Sequence, residues 1–313
     1  MVLSEMGTSR ILVVGESVID IVEMTDGSRV PHPGGSPANV AVGLGRLGLD
    51  VDFATQLGDD ANGDLLKRHF AESGVKLIGN PVTNAPTSTA LVQLDAHGEA
   101  SYTLDVVWDP PQPPLDGKYS LVHTGSIAAL VGPGREMVES LVKHLSKKSL
   151  VSYDPNIRPS LLTSRADAVH GVERFVAMSD FVKVSRGDLE WLYPDRRPEA
   201  VAYDWLGAGV AVVVVTASSR GWRAYSHAGT IGEPHGANTV IDTIGAGDAF
   251  SAALLAAVDR HGLMGAEHRK KLRKIDQFAL EDIVCLGSRA ATLTVGQAGA
   301  EPPRLEELWP VRG

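Results

Sequence analysis

The chain predicts an α/β domain of three layers (α/β/α), with a small antiparallel β-sheet inserted into it. Three observations carry this. Short aliphatic runs alternate with helical patterns, as successive strand–helix–strand units require. Two segments instead alternate apolar and polar residues, the mark of strands with one face in solvent. The length of 313 residues, 43% hydrophobic and 21% charged, suits a globular chain able to bury a large core.

The elements follow in order. Residues 11–14 are aliphatic and end at Gly15, as in a strand buried on both faces. Residues 17–30 alternate and belong to the inserted sheet, which could serve as a lid, an oligomer contact or decoration. Helical spacing runs over 39–47 after Ser36, then a strand over 51–55 and a helix over 62–72. Residues 89–107 return to the inserted sheet, with Ala96-His97-Gly98-Glu99 as its hairpin turn. The prolines of 110–114 favour extended chain back to the main domain. Strands are expected over 121–123, 150–153, 181–184 and 210–216, with helices over 135–145 and 165–177. Residues 249–258, apolar except Ser251, read as a buried helix, and small residues mark another around 287–291. Residues 261–274 read as a solvated basic connection. The main domain is thus expected over 1–16, 37–86 and 112–313, and the inserted sheet over 17–36 and 87–111.

Composition excludes several classes. A net charge of −9, from 29 basic and 38 acidic residues, opposes general nucleic-acid binding. No apolar stretch reaches the ~20 residues that span a bilayer. The polar first ten residues lack the apolar core of a signal peptide, so a cytoplasmic protein is expected. The single cysteine, Cys285, forms no internal disulfide and, among apolar neighbours, is expected as an inert core thiol. The histidines show no HxH or HExxH spacing.

Chemistry concentrates in Asp242-Thr243-Ile244-Gly245-Ala246-Gly247-Asp248, just before the apolar helix. The Gly-Ala-Gly turn brings backbone N–H groups to a helix N-terminus, a ready anion site. A carboxylate beside an anion site suits removal of a hydroxyl proton as a phosphoryl group arrives, although Asp also caps helices. Gly34-Gly35-Ser36-Pro37-Ala38-Asn39 opens the first long helix, where Asn39 offers a donor and an acceptor to hydroxyls. Gly15-Glu16-Ser17-Val18-Ile19-Asp20 and Asp154-Pro155-Asn156-Ile157-Arg158 follow strand ends, where α/β proteins bind ligands.

Together these strings resemble the PfkB, or ribokinase-like, carbohydrate kinases across nearly the whole chain. The resemblance implies that the inserted sheet over 17–36 and 87–111 is a lid, with ATP as phosphoryl donor, Mg2+, and a sugar acceptor. It implies Asp248 as the base and Gly245, Ala246 and Gly247 as the anion hole. Asp20, Gly34, Gly35 and Asn39 match sugar-binding positions, and Arg158 resembles a residue near substrate. Thr216 and Gly221 match a nucleotide loop, and Ser288 the adenine pocket. Asp242 matches a position linked to a monovalent cation such as K+. The family's Asn-x-x-Glu motif is replaced here by Ser185 and Asp188, at the nucleotide and, through water, the metal; both capping and metal handling remain open for this pair.

No Lys or Arg occurs from Leu77 through Gly117, which favours a neutral acceptor. The Trp108-Asp109-Pro110 and Asp154-Pro155-Asn156-x-Arg158 strings look most like the fructokinase branch, so fructose leads. 2-Keto-3-deoxygluconate, ribose, a nucleoside, or a non-catalytic sugar-binding regulator remain alternatives, and Tyr102 or Trp108 are candidate base-stacking residues. The lid's edges predict a homodimer.

Overall fold

The structure is a computed structural model that describes residues 9–23, 28–94, 100–114, 117–232, 245–295 and 301–309. Among the described residues, nine strands form the main sheet. Its spatial order is Gly229–Gly232, Trp222–Ser226, Val212–Thr216, Phe181–Ser185, Leu150–Asp154, Leu121–Gly125, Arg10–Val14, Asp50–Ala54 and Val75–Leu77. The last seven run parallel, while Trp222–Ser226 and Gly229–Gly232 are antiparallel additions at one edge.

Period-two side-chain alternation divides the interior. Ile11, Val13, Val212 and Val214 face one core with Val40, Leu44, Phe250 and Leu254. Leu12, Val14, Val213 and Val215 face the other with Val138, Leu141, Val172 and Phe175. Two-sided burial is why these strands read as continuous aliphatic runs rather than alternating ones. It produces the three layers expected.

The small sheet contains Arg29–Gly34, Val18–Glu23, Thr89–Leu94 and Ala100–Asp105, in that order. Its two outer pairings are antiparallel, as expected; the central pairing of Val18–Glu23 with Thr89–Leu94 is parallel. Each of these two central strands begins a separate excursion from the main domain, so they enter in the same direction. The expected turn at 96–99 lies outside the described residues.

Two local expectations change. The stretch 261–274 is not simply solvated: Leu263, Met264 and Leu272 are buried, and a short helix forms at Arg269–Leu272. Arg269 holds buried Asp180 and the carbonyls of Ser146 and Ser149. Cys285 is exposed rather than in the core. On helix Gln277–Val295, Ile283, Val284 and Gly287 face inward, and the helical turn carries position 285 outward. No helix among the described residues is long and apolar enough to cross a membrane.

Candidate active site

The chain leaves strand Arg10–Val14 outward in one direction along the sheet and returns to build the other half from Leu121–Gly125. Between these two strands the order reverses, and at the carboxyl ends of such a switch point α/β sheets bind ligands. A cavity of about 980 Å3 opens there, walled by the small sheet above and the strand ends below. Three non-glycine residues with positive φ, Ser126 (52°), Asn156 (37°) and Ser218 (49°), all lie on its wall. Each follows a main-sheet strand. Such conformations cost about 1–3 kcal/mol apiece and persist where surrounding structure imposes them.

Helix Ala246–Arg260 begins at this cavity. Gly245 precedes it with φ 76°, a left-handed conformation that glycine adopts without strain. Asp248 follows in the first turn, 6% exposed. Its Oδ1 accepts from Ser36 Oγ at 2.7 Å and its Oδ2 from Asn39 Nδ2 at 2.8 Å. Burial pushes the Asp248 carboxyl above its ordinary range, opposed by Lys183, these two hydrogen bonds and Arg158.

Ser36 and Asn39 arrive on helix Ser36–Arg46, whose start depends on Gly35 at φ 101°. Gly35 and Asn39 line the cavity; Gly34 stands behind, where a Cβ would meet Asp20 Oδ2 at 2.2 Å. Asp20 enters from the small sheet, its carboxyl raised to about 6 by burial, with Arg158 opposing and Asp248 reinforcing. Arg158 Nη1 is tied to Asn156 Oδ1 at 2.7 Å and to the carbonyls of Asn156 and Ile157.

Thr216, Gly221, Ser288, Ser185 and Asp188 line the same cavity farther along the sheet. Thr216 lies four strand positions from the switch-point strand, ~19 Å at ordinary strand spacing. Ser185 caps helix Arg186–Leu192, accepting from Asp188 N at 2.9 Å, while Asp188 Oδ2 accepts from Ser185 N at 3.3 Å. Asp188 Oδ1 also accepts from Ile157 N at 3.1 Å. The capping half of that pair's expectation is therefore formed. Glu190 turns away to Arg186. Asp242 lies outside the described residues. Trp108 is no stacking surface: it is 3% exposed in the core, donating from Nε1 to Ala128 O.

The sequence-derived candidates omitted four polar residues at this site. Ser36 was read as a helix start only. Glu16 is 2% exposed, lines the cavity and accepts from Ala128 N at 2.9 Å. Asp154 and Lys183 pair at 2.6 Å. The missed signal was chemical: a lysine inside the aliphatic run Phe181–Ser185 demands a buried counter-charge. Asp154 ends the adjacent strand.

Burial raises the Glu16 carboxyl to about 7 from 4.5. A carboxyl raised on folding binds its proton more tightly in the native state, so stability falls as pH rises from about 4.5 to about 7. Glu16→Gln is therefore expected to stabilise the protein by up to ~3 kcal/mol at pH 8 and by nothing near pH 4. Urea unfolding at both pH values checks this, and an equal effect at the two would refute it.

The arrangement joins a buried carboxylate, a helix N-terminus and a polar pocket under one sheet. Comparisons with known proteins place the chain in a family. The description pfkB family carbohydrate kinase matches residues 8–307. This chain belongs to that family. A fructokinase from Rhizobium leguminosarum bv. trifolii is 31% identical over 283 residues, 87% of this chain and 86% of that protein. The structure is similar to that of Xylella fastidiosa fructokinase with bound ATP, at TM-score 0.82 and 25% identity, covering 96% of this chain and 97% of the other. It is also similar to a Vibrio cholerae O395 fructokinase double mutant bound to fructose, ADP and potassium ion. There the TM-score is 0.79 and the identity 26%, over 96% of this chain and 95% of the other. As a pfkB carbohydrate kinase, the chain is a phosphotransferase with a sugar hydroxyl as acceptor.

Proposed function

We propose that this kinase transfers a phosphoryl group from ATP to a hydroxyl of a small neutral sugar, fructose before others. The carrying observation is Asp248, buried at the helix start and sharing one cavity with Asp20, Asn39 and Arg158 on one side and Thr216 and Ser288 on the other. Transfer needs positioning, charge neutralisation and removal of the acceptor proton. Asp20, Gly35 and Asn39 hold sugar hydroxyls, Asp248 takes the proton, and the N–H groups of Gly245–Gly247 receive the phosphoryl charge. Thr216, Gly221, Ser185 and Ser288 hold the nucleotide. The small sheet covers the acceptor and excludes water as a competing acceptor.

Charge supports a neutral acceptor. The electrostatic neighbours of Arg158 include Asp20, Glu16 and Asp248, so its cation is already balanced by carboxylates. Fructose is favoured by the named relative and by the fructose-bound neighbour. No three His, Cys, Asp or Glu among the described residues form a metal cage. That fits Mg2+, which keeps waters and substrate phosphate oxygens and needs only one or two carboxylates; Asp188 would hold it through water. Bound with the nucleotide, Mg2+ would neutralise phosphate charge. K+ near Asp242 belongs to the same proposal, as do a cytoplasmic location and a dimer through the edge strands Arg29–Gly34 and Ala100–Asp105 of the small sheet.

An ADP-release assay across fructose, ribose, 2-keto-3-deoxygluconate, adenosine and inosine tests this. Fructose is expected to give the highest kcat/KM, by at least about tenfold, which corresponds to one or two pocket contacts. A higher value with an acidic sugar or a nucleoside would reject the assignment, and no sugar-dependent release would favour a non-catalytic sugar binder.

A further inference from the structure

Strand Phe181–Ser185 lies inside the sheet, and alternation aims Lys183 at the face covered by helix Ala246–Arg260. Its side chain is 10% exposed and that of Asp154 2%, with Nζ 2.6 Å from Asp154 Oδ2. The same Nζ donates to the Gly247 carbonyl at 3.2 Å. Ser251 Oγ donates to that carbonyl at 3.2 Å and to Asp154 Oδ2 at 3.5 Å. A Cβ at 247 would lie 2.9 Å from Nζ, so any side chain there would push the ammonium aside.

A buried ion pair by itself contributes little net stability, because desolvation offsets the attraction. This pair has a second partner whose position matters: the peptide at the anion-binding turn. We propose that Lys183 is a positioning residue for phosphoryl transfer. Clamped by Asp154, its ammonium fixes the Gly247 peptide and keeps the first turn of helix Ala246–Arg260 in register with the transferring group. The inference rests on the phosphoryl-transfer reading of the cavity. The charged groups that act on Lys183 are Asp154, Asp248 and Asp188, and together they keep the ammonium protonated despite burial.

The double variant Asp154→Asn/Lys183→Met removes both charges while keeping the volume. Provided that the wild-type enzyme turns over sugar in the same assay, kcat of the double variant is expected to fall about 30-fold or more, below the ~10²–10³ cost of losing an anion-hole donor. Sugar affinity by calorimetry should change by less than about threefold, and Tm by only a few degrees, as neutral replacement of a buried pair allows. A kcat within about threefold of wild type would overturn the positioning role. Absence of wild-type turnover would instead overturn the phosphoryl-transfer reading. If the double variant does not fold, Lys183→Met alone removes the ammonium and leaves Asp154, whose carboxyl burial already raises to about 6, to become neutral by taking up a proton. The kcat of this single variant should drop about tenfold at unchanged sugar affinity, and an unchanged kcat would equally overturn the proposal.

Discussion

Asp248→Asn lowers kcat by about 10³-fold, within the ~10²–10⁴ range for a lost general base. The amide keeps the acceptor for Ser36 Oγ, and Asn39 restores its own bond by turning its carbonyl oxygen toward the new amide. Geometry is thus retained and basicity lost. Sugar binding by calorimetry should stay within about threefold, since Asp20 and Arg158 on the same cavity wall are untouched. Stability should not fall, because a neutral amide replaces a carboxylate that burial disfavours. The wild-type pH profile follows the same logic. Because the Asp248 carboxyl is raised, the acid limb of kcat lies above the ordinary aspartate value of 3.8, and activity is lost as pH falls through it. That limb should vanish in Asp248→Asn. A variant with near-normal kcat would remove Asp248 from the mechanism.

Gly35→Ala carries the second large effect. Position 35 has φ 101°, and a Cβ there would lie 2.7 Å from the Glu16 carbonyl oxygen and 3.1 Å from Ser17 Cα. Neither neighbour is a flexible side chain, so the start of helix Ser36–Arg46 must move. Strain of about 1–3 kcal/mol follows, a Tm loss of roughly 5 °C. Function should suffer more than stability. Ser36 and Asn39 hold both oxygens of Asp248, and a shift of ~1 Å at a reacting group costs about 10² in rate. kcat/KM is therefore expected to fall about 10²-fold. Gly48→Ala is the control: φ is 85° there, but nothing lies within 4 Å. It should lower Tm and leave kcat/KM within about threefold; equal kinetic losses in the two variants would show strain rather than displacement of Asp248.

Much of the fold was legible because two-sided burial writes itself into sequence. The runs at 11–14, 150–153 and 181–184 each became a parallel strand of the main sheet. The antiparallel strand Trp222–Ser226 and, at the sheet edge, Gly229–Gly232 escaped notice because their exposed positions carry Arg223 and Thr230, which interrupt any continuous aliphatic signal. Helix Pro198–Gly207 was missed despite proline at its first turn, and Val75–Leu77 is too short to show a period. Cys285 was misplaced because apolar neighbours in sequence do not share its helix face.

The candidate site divides in the same way. Asp248 and the Gly-Ala-Gly turn were legible because their chemistry is local: a flexible turn, a helix start and an acid within four residues. Local chemistry also marked Asp20, Asn39 and Arg158 as polar groups at strand or helix ends. What tertiary structure alone decided is who holds whom. Ser36 and Asn39 reach Asp248 across more than 200 positions of chain, and Lys183 joins Asp154 to the Gly247 carbonyl from a third element. Sequence encodes burial and backbone preference because these act over a few residues. Contacts between distant residues, and the electrostatic environment they set for Asp248, exist only once the sheet order brings those strand ends together.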